Sequence, residues 1–227
     1  MTKRVVITGM GIISPIGNDV PTFWKNLVDG VCGIDYIHDF PTDGLPVKIA
    51  GKIKDFHPEE HGMDKAFGRK QDRFTQYGVA AAYEAMNQAG LVSEGEGQNI
   101  DPFRLGVYVG SGIGGFEIQF RETVKMIEDP TGQWISPLFI PTMISNIAAG
   151  HIAIKHQAKG PCIDVVTACA TSTNNIGEAF RAIRHGYADA IIAGGCEGAT
   201  IPLGIAGFAN AKALSRAEDP KYASLPF

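Results

Sequence analysis

Short apolar runs rich in β-branched residues recur along the chain, each stopped by glycine or small residues and most followed by helical spacing. The runs at 5–8, 105–109, 163–166 and 190–193 read as buried strands. The stretches 22–29, 72–89, 116–128, 142–157 and 174–185 carry apolar residues at helical intervals. Strands that alternate with helices confine the chain to an α/β class. The glycines mark the joints. Gly9 and Gly11 end the first strand in a tight turn, Gly30 closes the helix capped by Asn18 or Asp19, and Gly90 closes 72–89. Residues 31–63 read as loops around one strand at 48–53. Ser136-Pro137 and Pro141 bracket an extended piece at 138–140, with Pro141 leading the helix that follows. Residues 93–101 read as an exposed loop, and 202–209 as a small, glycine-rich segment. No internal linker or repeat is visible.

Composition narrows the function classes. With 227 residues, 44% hydrophobic and 19% charged, the chain is long enough for a large core and globular in kind. A net charge of -4 argues against nucleic acid as a partner through bulk electrostatics. No apolar run reaches the roughly 18 residues of a membrane span, and no signal peptide precedes the strand at 5–8. The cysteines, Cys32, Cys162, Cys169 and Cys196, have no zinc-type spacing, and a chain this size does not depend on disulfides. A cytoplasmic protein without a metal or cofactor is the expectation.

Cys169 sits where the run 163–166 hands over to a helix N-terminus. The free N–H groups and positive dipole end of a helix favour negative charge, and hence a thiolate, at that point. Ala168 and Ala170 leave room for a substrate. The competing reading is a core cysteine, since free cysteine is among the most buried residue types. Position alone leaves both open.

Four further patterns carry less. Residues 110–115 match GxGxxG after a strand, with Asp129 downstream. A dinucleotide fold, however, wants that acid at the end of a second strand, and 116–128 is a helix. The glycines fit close backbone approach better. His57 and His61 are four apart, but Pro58 and Gly62 interrupt any metal-binding helix face, so they read as loop histidines. His151, among Ile147, Ile152 and Ile154, reads as a core histidine. Lys65, Arg69, Lys70 and Arg73 form a basic cluster that composition treats as a solvated face.

Several long stretches together resemble one family. They are RVVITGMGIISPIGN at the start, VGSGIGG at 109–115, ISPLFIPTMISNIAAGHIAI at 135–154, GPCIDVVTACATSTNNIGEA around Cys169 and ADAIIAGGCEGATIPLGIAGFANAKALS up to Ser215. In this order they resemble the β-ketoacyl carrier-protein synthases, of the elongating type II kind in bacterial fatty-acid synthesis. The resemblance implies a thiolase-like layered α/β fold, a mixed sheet between helices, with 1–227 as the N-terminal half of a duplicated architecture. It implies that Cys169 is the nucleophile that takes an acyl group from acyl carrier protein. Malonyl-carrier protein, its malonyl group held on phosphopantetheine, then condenses with that group after losing carbon dioxide. The Cys169 N–H is implied as half of an oxyanion hole.

Ile113, Phe139, Ile140 and Phe208 match residues that line the family's acyl pocket, with Phe139 and Ile140 reaching across a homodimer interface. Arg69, Lys70 and Lys212 match positions that meet the acidic carrier protein. A further basic pair of the family is Gln133 and Trp134 here, so docking is expected to be weaker or differently centred. The family's decarboxylating histidines and lysine belong to a second half beyond Phe227, and none of the six histidines here matches them. The chain as written is expected to be acylated without condensing. Two alternatives are a non-condensing fragment that binds acyl groups or carrier protein, and a condensing enzyme of a specialised polyketide-type pathway. The non-catalytic partners in related synthases usually lack the cysteine that this chain keeps.

Overall fold

The computed structural model describes residues 4–225. In chain order the elements are α1 (Val20–Val28), β1 (Ile34–Tyr36), β2 (Ile49–Gly51), α2 (Lys65–Lys70), α3 (Arg73–Ala89), β3 (Leu105–Gly110) and α4 (Phe116–Glu128). Then come α5 (Phe139–Met143), α6 (Ile147–Lys155), β4 (Cys162–Ile163), α7 (Thr171–Arg184), β5 (Ala190–Gly195) and α8 (Pro202–Asn210). They fall into two compact units. One holds His57–Gly198 with the N-terminal segment up to Gly11; the other holds Ile12–Phe56 with the chain from Ala199 onward.

In the first unit a parallel sheet runs β4-β3-β5, with Val107 opposite Cys162 and Ile192. All six residues of β3 are buried, as a central parallel strand requires. Tyr108 packs with Ala179 and Ala182 of α7, while α6 also packs on β3 and α3 on α6. Arg104 and Asp189 form a bidentate pair at 3.0 and 3.1 Å that fixes the starts of β3 and β5 side by side. Asp72 caps α3 and also accepts from the Ile118 N–H at 2.9 Å, so one carboxylate holds the starts of α3 and α4 together. Burial raises that carboxyl above its ordinary range.

The second unit pairs β1 with β2 antiparallel, Asp35 opposite Ala50. Ile37, Val47 and Ile49 close on Ile205 and Ala209 of α8. The segment read as small and glycine-rich at 202–209 is this helix, with Pro202 in its first turn where a missing N–H costs nothing.

Five sequence expectations change. Residues 5–8 pair with no strand; Val6 and Ile7 are exposed, and Gly9 and Gly11 are crossing points rather than a turn. A Cβ would fall 2.1 Å from the Ala85 carbonyl oxygen at Gly9 and 1.9 Å from that of Ala81 at Gly11, so only glycine lets the segment lie on α3. The strand at 163–166 shrinks to Cys162–Ile163 and is exposed. Beyond it the Asn175 side chain takes over the pairing, accepting from the Val165 N–H at 3.1 Å and donating to its carbonyl at 3.2 Å.

The piece at 138–140 is not extended: Phe139 and Ile140 open α5. The helix expected over 142–157 is divided between α5 and α6, because the Met143 carbonyl accepts the Gly115 N–H at 2.8 Å instead of continuing the helix. Finally, α7 starts at Thr171 rather than Asn174, its first turn being small and polar.

Two histidines sit in this framework without solvent chemistry. His151 meets the Phe67 ring edge-on at 5.0 Å, and burial lowers its pKa. Burial, with Lys155 beside it, lowers His156 from 6.5 to about 4. A base depressed in the folded state favours folding above its unfolded pKa and loses that contribution as pH falls from about 6.5 through 4. At roughly 1.4 kcal/mol per pKa unit, discounted for the solvent that reaches the ring, the loss is on the order of 2 kcal/mol. His156→Gln is expected to flatten the fall in denaturation midpoint between pH 6.5 and 4. An equal fall in parent and variant, measured by urea titration, would place the acid sensitivity elsewhere.

Candidate active site

Cys169 lies in a single 3-10 turn, Ala168–Ala170, that runs directly into α7. The residue is exposed, so the core-cysteine reading fails on solvent access. Ala168 has φ +52, a left-handed conformation that alanine adopts only when its surroundings impose it. The Thr171 hydroxyl imposes it from below, accepting the Thr167 N–H at 2.9 Å, while the Thr167 hydroxyl bonds Asn174 at 2.9 Å. Thr171 and Asn175 are buried beneath the turn. The start of α7 has no capping side chain, and its Thr171 N–H turns back to the Ala168 carbonyl, so the positive end of the helix dipole is what favours negative charge at the thiol.

Glycines let neighbouring chain approach this turn. A Cβ on Gly195 would stand 2.9–3.1 Å from Ser172, backbone included. One on Gly112 would stand 3.0 Å from the Ala168 carbonyl oxygen. The turn after β3, which formally matched a nucleotide motif, is therefore packed against the thiol's own turn. It leads into α4, and Asp129 caps the far end of that helix instead of ending a second strand.

Ile113 sits at the tip of the same turn, 42% exposed. Gly115 joins it to Met143 at the end of α5, the helix whose first residues are Phe139, half-buried, and Ile140, exposed. Glu122 holds the chain just ahead of α5, accepting the Ser136 N–H at 2.9 Å. The first unit thus brings the backbones of Cys169, Ile113 and the Phe139–Ile140 turn into one neighbourhood. Arg69 and Lys70 end α2 in the same unit, both exposed. Phe208, on α8, and Lys212, just after it with φ +58, belong to the second unit, and both are exposed. Gln133 and Trp134 stand exposed in the loop after α4, Gln133 donating to Asp129 at 2.8 Å.

The other thiols differ in character. Burial, with Glu197 and Asp164 adding negative charge, drives the Cys196 thiol far up and keeps it protonated. Burial also raises Cys162, on the sheet edge. Sequence reasoning missed Glu197 and Ser111. Ser111 is fully buried, its hydroxyl donating to Glu197 at 3.0 Å and accepting the Gly114 N–H at 2.8 Å. The one available signal was an acid inside the small-residue run GGCEGAT. Among the described residues no group of His, Cys, Asp and Glu could hold a metal ion, and no helix is long and apolar enough to cross a membrane.

Residues 2–227 match the family model described as "Beta-ketoacyl synthase, N-terminal domain". The "3-oxoacyl-[acyl-carrier-protein] synthase 2" of Staphylococcus aureus (strain COL) is 47% identical over 226 residues, 99% of this chain and 53% of that protein. The Vibrio cholerae serotype O1 protein of the same name is 44% identical over 226 residues, again 99% and 53%. The chain therefore spans about half the length of these curated relatives. Among solved structures, a β-ketoacyl synthase from Burkholderia phymatum STM815 superposes with a TM-score of 0.82 at 26% identity, covering 100% of this chain and 54% of that one. A ketosynthase complex with a type II polyketide acyl-carrier protein, bound to the hexaketide, gives 0.75 at 26% identity, covering 92% and 55%.

Proposed function

We infer, for a chain that belongs to the β-ketoacyl synthase family and has its thiolase-like α/β fold, that Cys169 is the thiol that receives the acyl group. The observation that carries this is an exposed cysteine on a strained turn that runs directly into the start of a helix. The Cys169 sulfur attacks the carbonyl carbon of an acyl group held as a thioester on a carrier protein. A new S–C bond forms and the carrier's S–C bond breaks. The proton lost by Cys169 ends on the carrier's phosphopantetheine thiol. The oxyanion of the tetrahedral intermediate forms beside the start of α7, where N–H groups and the helix dipole lower its energy.

For the whole protein we propose decarboxylative condensation. The malonyl group on a second carrier loses carbon dioxide, its carbanion attacks the acyl carbon on Cys169, and the Cys169 S–C bond breaks. The product is a β-ketoacyl group two carbons longer, in fatty-acid elongation, by a cytoplasmic homodimer. The 44–47% identity to proteins named 3-oxoacyl-[acyl-carrier-protein] synthase 2 supports fatty acids over a specialised pathway. Residues 1–227 form its N-terminal domain. In this reading Ile113, Phe139, Ile140 and Phe208 surround the acyl chain, with Phe139 and Ile140 serving the partner's pocket.

Arg69, Lys70 and Lys212 meet the acidic carrier. Charge reversal of Arg69 and Lys70 together is expected to lower acyl transfer from acyl-carrier protein by about tenfold while leaving transfer from a small acyl thioester unchanged, because rim charges act mainly on encounter. Initial rates of adduct formation with both donors check this. Equal loss with the two donors would remove α2 from the docking surface.

A further inference from the structure

Glu197 is an acid that the acyl transfer itself does not use. It follows β5 immediately, and although the residue as a whole is exposed, burial of its carboxyl group raises the pKa. Its Oε1 accepts the Ser111 hydroxyl at 3.0 Å, and the backbone N–H dipoles of Gly112, Ile113 and Gly198 around the carboxylate favour its charged form. Ser111 in turn accepts the Gly114 N–H at 2.8 Å, so both ends of this four-residue turn are tied to the carboxylate through one hydroxyl. The same turn rests on the thiol's own turn: the missing Gly112 Cβ would be 3.0 Å from the Ala168 carbonyl oxygen and 3.2 Å from Glu197 Oε2, so all three meet at one point. Ile113 stands at the tip, exposed, so its place is set by its backbone.

We propose that Glu197 is a positioning residue that clamps the Ser111–Gly114 turn against Ala168, fixing Ile113 over Cys169 and so setting how long an apolar chain the thiol accepts. The proposal rests on the reading that Cys169 holds an acyl chain, and it adds the residue that gives that chain's wall its position. Without the clamp, the buried Ser111 hydroxyl loses its acceptor and the turn is free to move away from Ala168. Access for a short chain changes little. A long chain, which must pass Ile113, meets a displaced wall.

The test labels the full chain, and the whole protein, with iodoacetamides carrying an N-alkyl group of about two or about twelve carbons, and compares rates at Cys169 by peptide mass. Glu197→Ala is expected to shift the ratio of long-chain to short-chain labelling about tenfold from the parent, the size of effect that small misplacements produce. Glu197→Gln keeps an oxygen for the Ser111 hydroxyl and is expected to return most of the parent ratio. A purely structural role lowers the melting temperature and leaves the ratio where it was; that result overturns the proposal. Should the alanine variant fail to fold, Ser111→Ala carries the same comparison with Glu197→Gln as its near-parent control, and an unchanged ratio in Ser111→Ala overturns it equally. The probes need no carrier protein, so failure of carrier-borne acyl transfer in the parent counts against the proposed function alone.

Discussion

Cys169→Ser lowers acyl transfer from a carrier-bound thioester by about a thousandfold or more, with a melting temperature within about 2 °C of the parent. The two halves of that expectation have separate causes. A serine hydroxyl is a far poorer nucleophile at neutral pH than a cysteine, which reacts through its thiolate, so the chemistry suffers even with the geometry intact. Stability is little affected because the residue is exposed and surface substitutions usually lie within about half a kcal/mol. A core cysteine would give the opposite pattern, a drop in melting temperature with no loss of rate. Measuring both quantities on one preparation separates the readings.

Gly195→Ala tests the support beneath the thiol. The added methyl falls 2.9 Å from Ser172 Cβ, 3.0 Å from its Cα and 3.1 Å from its backbone nitrogen. A flexible side chain yields cheaply to such a contact, but the first turn of a helix does not. Overpacking of this kind costs about 1–3 kcal/mol, or roughly 2–10 °C of melting temperature for a chain this size. Relief comes from shifting the start of α7, which carries the Cys169 turn with it. Acyl transfer is therefore expected to fall about a hundredfold among molecules that remain folded. A variant with parent-like rate and stability would mean that α7 and β5 do not pack as closely as described.

The parts of the fold that were legible in sequence are those set by local chemistry. Of Asn18 and Asp19 it is Asp19 that caps α1, Gly90 ends α3, and the apolar spacing of 116–128 gives α4 to the residue. The misread parts were decided by distant partners. The run 163–166 has strand-forming residues, yet Asn175, ten positions on, takes the Val165 backbone. The helix pattern across 142–157 is sound in itself, and it breaks because Gly115 claims the Met143 carbonyl. For residues 5–8, β propensity has no effect without a strand to pair with, and the glycines that follow belong to α3's surface.

The site divides the same way. Position placed Cys169 at a helix start but left its burial open, since exposure depends on everything packed around it. The resemblance named Ile113, Phe139 and Ile140, and the structure adds what links them to the thiol: the Gly112 approach and the Gly115–Met143 bond. Glu197 stayed invisible because a single acid in a small-residue run says nothing about the turn, 86 positions earlier, that it holds.

The central claim is that the acyl group goes to Cys169 and to no other thiol. Incubating the protein with a saturated acyl-carrier protein, then mapping the adduct by peptide mass, tests it in one step. The account predicts one acyl group per chain, on the peptide containing Cys169, with Cys32, Cys162 and Cys196 unmodified. An adduct on any of those three at a comparable rate, or a chain that stays unmodified while the carrier keeps its acyl group, would contradict it.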